Sequence, residues 1–211
     1  MTTIPALIIL AAAHLQLPAG EPGEASSPAL DTPVVEAFEV QGFRTTIEVL
    51  IDAPVETVFG AATGEVGGWW DHSFWPDPGE LVIEPRMGGR FYERPAAGSD
   101  DGALHAEVIF VRAPHQLRLH GPLGLSGRAF DLVTSWTLEP AESADGTSNG
   151  ATSFRVDLNM AGDIDAEMAG VVRSVWVHFI GARLKPWVEG GCHLEPEAPC
   201  AAFETASGEA E

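Results

Sequence analysis

Residues 164–188, IDAEMAGVVRSVWVHFIGARLKPWV, limit what this chain can fold into more than any other stretch. Met168, Val171, Val172, Val175, Trp176, Phe179, Ile180 and Leu184 recur at helical spacing and cover a wide share of one helix. Asp163 and Asp165 stand at its start and Arg183 and Lys185 near its end, the order the helix dipole favours. Pro186 is expected to bend or end the helix and Gly190-Gly191 to terminate it. So broad an apolar face needs an equally broad partner, and a curved sheet is the available candidate.

The segments before it supply that sheet. Residues 45–51 alternate Ile47, Val49 and Ile51 against polar neighbours and read as a half-buried strand. Asp52-Ala53-Pro54 stops it, with Asp52 placed to cap a short helix whose buried side is Val55, Val58, Phe59 and Ala62. Residues 63–70 follow as a second short helical turn or loop. Strand-like segments then run over 80–84, 89–94, 104–112, 116–120, 130–139 and 152–160, separated by Gly, Pro and Asp breakers. Short connections between successive strands predict an antiparallel, strongly curved sheet rather than βαβ units.

Residues 64–93 hold three of the six tryptophans and include Trp69-Trp70, a Pro/Gly-rich loop, and the turn Glu84-Pro85-Arg86-Met87-Gly88-Gly89. Gly88-Gly89 supplies the positive φ of a tight reversal. Adjacent large aromatics bury their area only against a concave surface, so this stretch predicts an aromatic rim beside the sheet.

The order of elements and these motifs resemble the START-like superfamily (SRPBCC, or birch-pollen-allergen-like), and within it the branch named for the activator of the heat-shock-protein-90 ATPase. The match is carried by Asp52-Ala53-Pro54-Val55-Glu56-Thr57-Val58-Phe59, Trp69-Trp70, residues 84–91, Glu107-Val108, Ala113-Pro114, Leu117, and the closing helix with Trp176 and Leu184. It implies an α+β helix-grip fold: a curved antiparallel sheet around a long C-terminal helix, two short helices after the first strand, and an apolar cavity between sheet and helix. Many such proteins bind lipids, sterols or other hydrophobic molecules, and some are cyclases or dehydratases.

On that basis residues 1–20 are expected to be a signal peptide, 21–42 a disordered linker, 43–190 the helix-grip domain, and 191–211 an acidic tail. The signal reading rests on a short apolar run, residues 4–13, followed by small residues for cleavage, although no Lys or Arg precedes it. The run is too short to span a bilayer, so an exported protein without stable membrane insertion is expected, with a cytoplasmic one as the alternative. Cys192 and Cys200 would then pair as a local disulfide.

The net charge of −20, half of it carried by the two ends, argues against nucleic acid and anionic membranes as partners. It leaves a neutral apolar ligand open. No phosphate-cradling Gly loop or nucleophile elbow occurs. The histidines form no His-x-His or His-x-x-x-His pair, so neither a metal nor a cofactor is expected.

Trp69, Trp70, Phe91, Trp136 and Trp176 are the candidate cavity lining, with Glu93 or His105 orienting a polar end of the ligand. Strand parity leaves two readings of residues 104–110. Either His105 and Glu107 face the cavity as an acid/base pair, or Leu104, Ala106, Val108 and Phe110 face inward, and the cleaner apolar set favours the second. Glu93, inward with Phe91, is expected to pair with Arg118 or Arg155, and His178 to be a satisfied histidine at the core edge. Binding of a small hydrophobic or amphipathic molecule is the leading reading. A cyclase, dehydratase or hydrolase using a cavity carboxylate and histidine, and a stress-related protein-partner module, are the alternatives.

Overall fold

A computed structural model describes residues 37–142, 150–196 and 198–203. The expected signal peptide, most of the linker and the last residues of the acidic tail lie outside the described residues.

Eight strands form one antiparallel sheet: β1 (Gln41–Ile51), β2 (Gly64–Glu65), β3 (Glu80–Ile83), β4 (Arg90–Arg94), β5 (Ala103–Arg112), β6 (Gln116–His120), β7 (Phe130–Ala141) and β8 (Ala151–Gly162). Their order is β1-β8-β7-β6-β5-β4-β3-β2, so every neighbour except the β1–β8 pair follows in sequence. Helix α1 (Val55–Ala62) follows β1, and the closing helix begins as α2 (Ala166–Val177). The architecture is the helix-grip fold that the motifs imply.

Period-two alternation decides the sheet's two faces on the long strands. On β7, Phe130, Leu132, Thr134, Trp136 and Leu138 are buried, and on β8 Phe154, Val156, Leu158 and Met160 oppose them in register. Ile47 and Ile51 extend the same face on β1. Trp136 meets Phe154 and Trp176 edge-on, at ring separations of 5.5 and 6.4 Å, which seats the closing helix on this face.

Helix α1 starts at Val55 with Pro54 as its N-cap and no side-chain capping bond, so Asp52 does not fill the expected role. Instead the Asp52 backbone N–H donates to Glu189 Oε1 at 2.8 Å. The second short helix reduces to one turn, in which the Trp70 N–H reaches Val66 O at 2.9 Å. Gly68 in that turn is required by packing: a Cβ there would lie 2.3 Å from the Trp187 ring.

The closing helix changes character along its length. Asp165 caps α2 by accepting from the Met168 N–H at 2.8 Å. Residues His178–Leu184 then widen into a π-helical segment, where the Lys185 N–H reaches back to Ile180 O. A proline at 186 in a regular α-helix would meet the carbonyl of residue 182, and the wider turn relieves that clash. Helix α3 (Lys185–Glu189) carries on beyond Pro186, so the proline neither ends the helix nor leaves it regular.

Burial follows the same division. Among the residues of α2 only Trp176 is buried, and Val171 is 51 % exposed. Phe179, Ile180, Leu184, Trp187 and Val188 after it are all buried. Lys185 Nζ donates to Leu50 O and to Glu189 Oε1, both at 2.6 Å, and fixes this end to β1. The second half of the helix is deeply seated, whereas Met168, Val172 and Val175 of the first half pack on the core only partly buried. Beyond it, Cys192 and Cys200 are disulfide-bonded.

Candidate functional site

The space beneath α2 is a cavity of about 260 Å³. Its walls are largely hydrophobic: Leu132 from the sheet, Leu123 and Leu125 from the turn after β6, and Met168, Val172 and Val175 from α2. Trp70, Trp176 and Phe179 close one side, and His72, Ser73, Phe74 and His105 contribute the polar share.

Trp70 organises the aromatic side. It stacks on Phe179 at 3.8 Å and meets Phe91 and Trp176 edge-on at 4.9 and 5.7 Å. Its Nε1–H donates to His72 O at 2.8 Å, which satisfies the indole and holds the next loop against the cavity. Of the residues expected to line the cavity, Trp70, His105 and Trp176 do so. Phe91 packs behind Trp70, against His105 at 4.7 Å. Trp69 and Trp136 belong to the core; Trp69 Nε1 donates to Ala61 O at 3.1 Å, while Trp136 Nε1 has no hydrogen-bond partner among the described residues.

The polar end differs from the sequence expectation at β5. The β4–β5 register pairs Phe91 with Ala106 and Tyr92 with Leu104, so His105 is the extra residue of a bulge. A bulge re-aims the side chains that follow it. His105, 3 % exposed, and Ala106 are therefore both buried, while Leu104 turns out and is 50 % exposed. A second irregularity at Ile109 turns Phe110 outward, where Arg118 lies over its ring at 5.4 Å. The expected inward set of Leu104, Ala106, Val108 and Phe110 is thus corrected to His105, Ala106 and Val108, with Glu107 exposed.

Glu93 is fully buried beside His105, as its shared parity with Phe91 implies. Its partners are not Arg118 or Arg155, which bond to Ser135 and Asp157 on the outer face. Ser73 Oγ donates to Glu93 Oε2, and the Phe74 N–H donates to Oε1 at 2.8 Å. His105 Nε2 lies 3.5 Å from Oε1. Two donors from the Pro/Gly-rich loop thus compensate the buried carboxylate, a requirement for burying such a group.

His105 itself is under-satisfied: neither buried ring nitrogen makes a well-formed hydrogen bond among the described residues, and its polar neighbours are Glu93, 3.5 Å from Nε2, and the Leu123 backbone. Burial pushes its pKa below the ordinary imidazole value, and the Glu93 charge and the Leu123 backbone pull it only part of the way back. Phe74, 53 % exposed, stacks on the imidazole at 5.8 Å and covers it from solvent.

At the mouth, Asp71 gathers groups that are remote in sequence. His178 Nε2 lies 2.8 Å from Asp71 Oδ2, His72 Nδ1 2.9 Å from Oδ1, and Arg183 Nε 3.3 Å from Oδ2. Burial alone would raise the Asp71 pKa. The hydrogen bonds with His178 and His72, and the charges of His178 and Arg183, outweigh it and hold the carboxyl below its usual range. His178 at the core edge is satisfied, as expected. Asp71, Ser73 and Phe74 were not legible as site residues, because they lie in an aperiodic loop whose partners are contributed by distant elements.

No protein-family model matches the chain, and no curated protein matches it. Solved structures with a similar chain path include a structural-genomics protein from Chromobacterium violaceum, 18% identical, with a TM-score of 0.47 over 69% of this chain and 96% of that one. Another is the Aha1 dimer from Colwellia psychrerythraea, 15% identical, with a TM-score of 0.44 over 71% and 98%. A third is truncated norcoclaurine synthase from Thalictrum flavum, 8% identical, with a TM-score of 0.39 over 70% and 98%.

Proposed function

We propose that this protein binds a small hydrophobic or amphipathic molecule in the cavity beneath α2. The observation that carries the reading is the apolar cavity under the first half of the closing helix. Met168, Val172 and Val175 are only partly buried against the core and line an apolar space of about 260 Å³. Concave, mostly apolar pockets with a few polar groups are how small-molecule sites are built. A cavity of about 150 Å³ holds benzene, so this one accommodates roughly ten non-hydrogen atoms, with more able to project through the mouth.

An enzyme reading is favoured by one observation, the 3.5 Å approach of Glu93 to His105. It is weakened by another, since both imidazole nitrogens are covered. Binding is the better reading. Export remains part of the proposal, and the Cys192–Cys200 disulfide fits an oxidising compartment. No helix among the described residues is long and apolar enough to cross a membrane.

Trp70 and Trp176 both line the cavity, so their emission reports occupancy. Titration with a panel of small hydrophobic ligands should shift or quench that emission for at least one. Val172→Trp, which fills the space from the half-buried side of α2, should abolish the response while leaving the unfolding midpoint nearly unchanged. An unresponsive wild type, with no small molecule in an organic extract of native protein, would overturn the proposal.

A further inference from the structure

The cavity mouth carries a second arrangement with a chemistry of its own. Asp71, His72 and His178 each present one ligand atom, and the three atoms lie within 4.8 Å of one another. Two of the separations are 2.9 Å, from His72 Nδ1 to Asp71 Oδ1, and 3.1 Å, from His178 Nε2 to the same oxygen. Ligands bound at about 2.0–2.2 Å around a first-row metal sit about 3 Å apart when adjacent, so these spacings are those of neighbouring coordination positions.

We propose that Asp71, His72 and His178 form a binding site for a divalent transition-metal cation, with its open positions toward the cavity mouth. Two imidazoles and one carboxylate suit zinc, copper, nickel or ferrous iron, not calcium or magnesium, which prefer all-oxygen sets. Each ligand is held in place from outside the cluster. Arg183 approaches Asp71 Oδ2 at 3.3 Å, is tied to Trp69 O at 3.3 Å, and lies over the Phe203 ring at 3.5 Å. His72 packs edge-on against Phe179 at 4.9 Å, and His178 sits on the seated segment of the closing helix. Outer contacts that fix the ligands belong to metal sites as much as the ligands do. All three side chains remain partly exposed, so the site has an entry path. Of the three, His72 also lines the cavity. The proposal does not depend on the ligand reading, because a cation can bind with the cavity empty.

The test uses tag-free full-length protein stripped with a chelator and titrated calorimetrically with zinc, nickel and cobalt(II) salts. One equivalent of zinc or nickel should bind, and cobalt should give a ligand-field absorption band. Asp71→Asn, His72→Ala and His178→Ala should each weaken binding at least tenfold, with near-UV circular dichroism reporting an intact fold. His120→Ala, at a separate His–Asp pair on the sheet, should leave binding unchanged. No stoichiometric binding by the wild type would overturn the proposal, showing that the cluster serves only as an ion-pair network. Undiminished binding by the three variants would overturn it as well, assigning the cation to another site.

Discussion

Acid should destabilise this fold through His105. The ordinary imidazole value is 6.5, and burial holds the folded-state value below it. As the pH falls through that window the unfolded chain takes up a proton at His105 while the folded protein does not, so stability is lost on the acid side and complete above it. One proton's difference is worth about 1.4 kcal/mol per pH unit, so the loss between about pH 7.5 and about pH 5.5 reaches at most about 1.4 kcal/mol. The groups facing the ring set how much of that is realised. Glu93 from β4 favours the cation and reduces the loss, the Leu123 backbone does so slightly, and the Phe74 and Phe91 rings offer no compensating charge. The loss is therefore expected to be real but to fall short of that ceiling. Denaturant midpoints of the wild type and His105→Gln at the two pH values isolate the term, because every other titrating group is common to both. A wild type that loses no more stability than the variant would refute the reasoning.

Four further outcomes follow from the packing. Trp136→Phe should cost under about 1 kcal/mol in chemical denaturation, because the lost ring area is offset by removing a buried N–H that lacks a partner; a loss above about 3 kcal/mol, as for full truncation, would contradict this. Glu93→Leu should cost about 2–3 kcal/mol and speed chymotrypsin cleavage at Phe74 and Trp75, since the loop loses the acceptor for Ser73 and Phe74; unchanged cleavage would count against that anchor. Gly88→Ala, at φ 69°, should lower stability by about 1 kcal/mol. Gly89→Ala should cost clearly more in the same thermal melts, because its Cβ would fall 2.2 Å from Glu84 O.

The sequence is most legible where one physical rule acts alone. On β7 and β8 a half-buried sheet imposes strict alternation, and the residues comply from Phe130 to Leu138 and from Thr152 to Met160. On β5 two extra residues break the period, and nothing in the letters LHAEVIF marks where a bulge falls; the apolar alternation places Ala106 and Val108 correctly but Leu104 and Phe110 on the wrong face. The carboxylate at Glu93 was readable from its parity with Phe91. Its donors were not, because Ser73 and Phe74 are positioned by a loop that hydrogen-bonds to a strand about twenty residues on. The Asp71–His178 approach spans 107 residues and comes from the closing helix folding back on the loop, which no local spacing encodes.

The π-helical segment His178–Leu184 divides the closing helix into two mechanically separate spans. Forcing all seven of its residues into a regular coil would swing everything after it by about 100°. Trp187 and Val188 would rotate off the sheet, and the disulfide-closed loop would leave with them. Substitutions upstream, at Val171 or Val172, involve no such rotation. The cavity-facing turns can therefore diverge in sequence while the anchoring turns stay in frame.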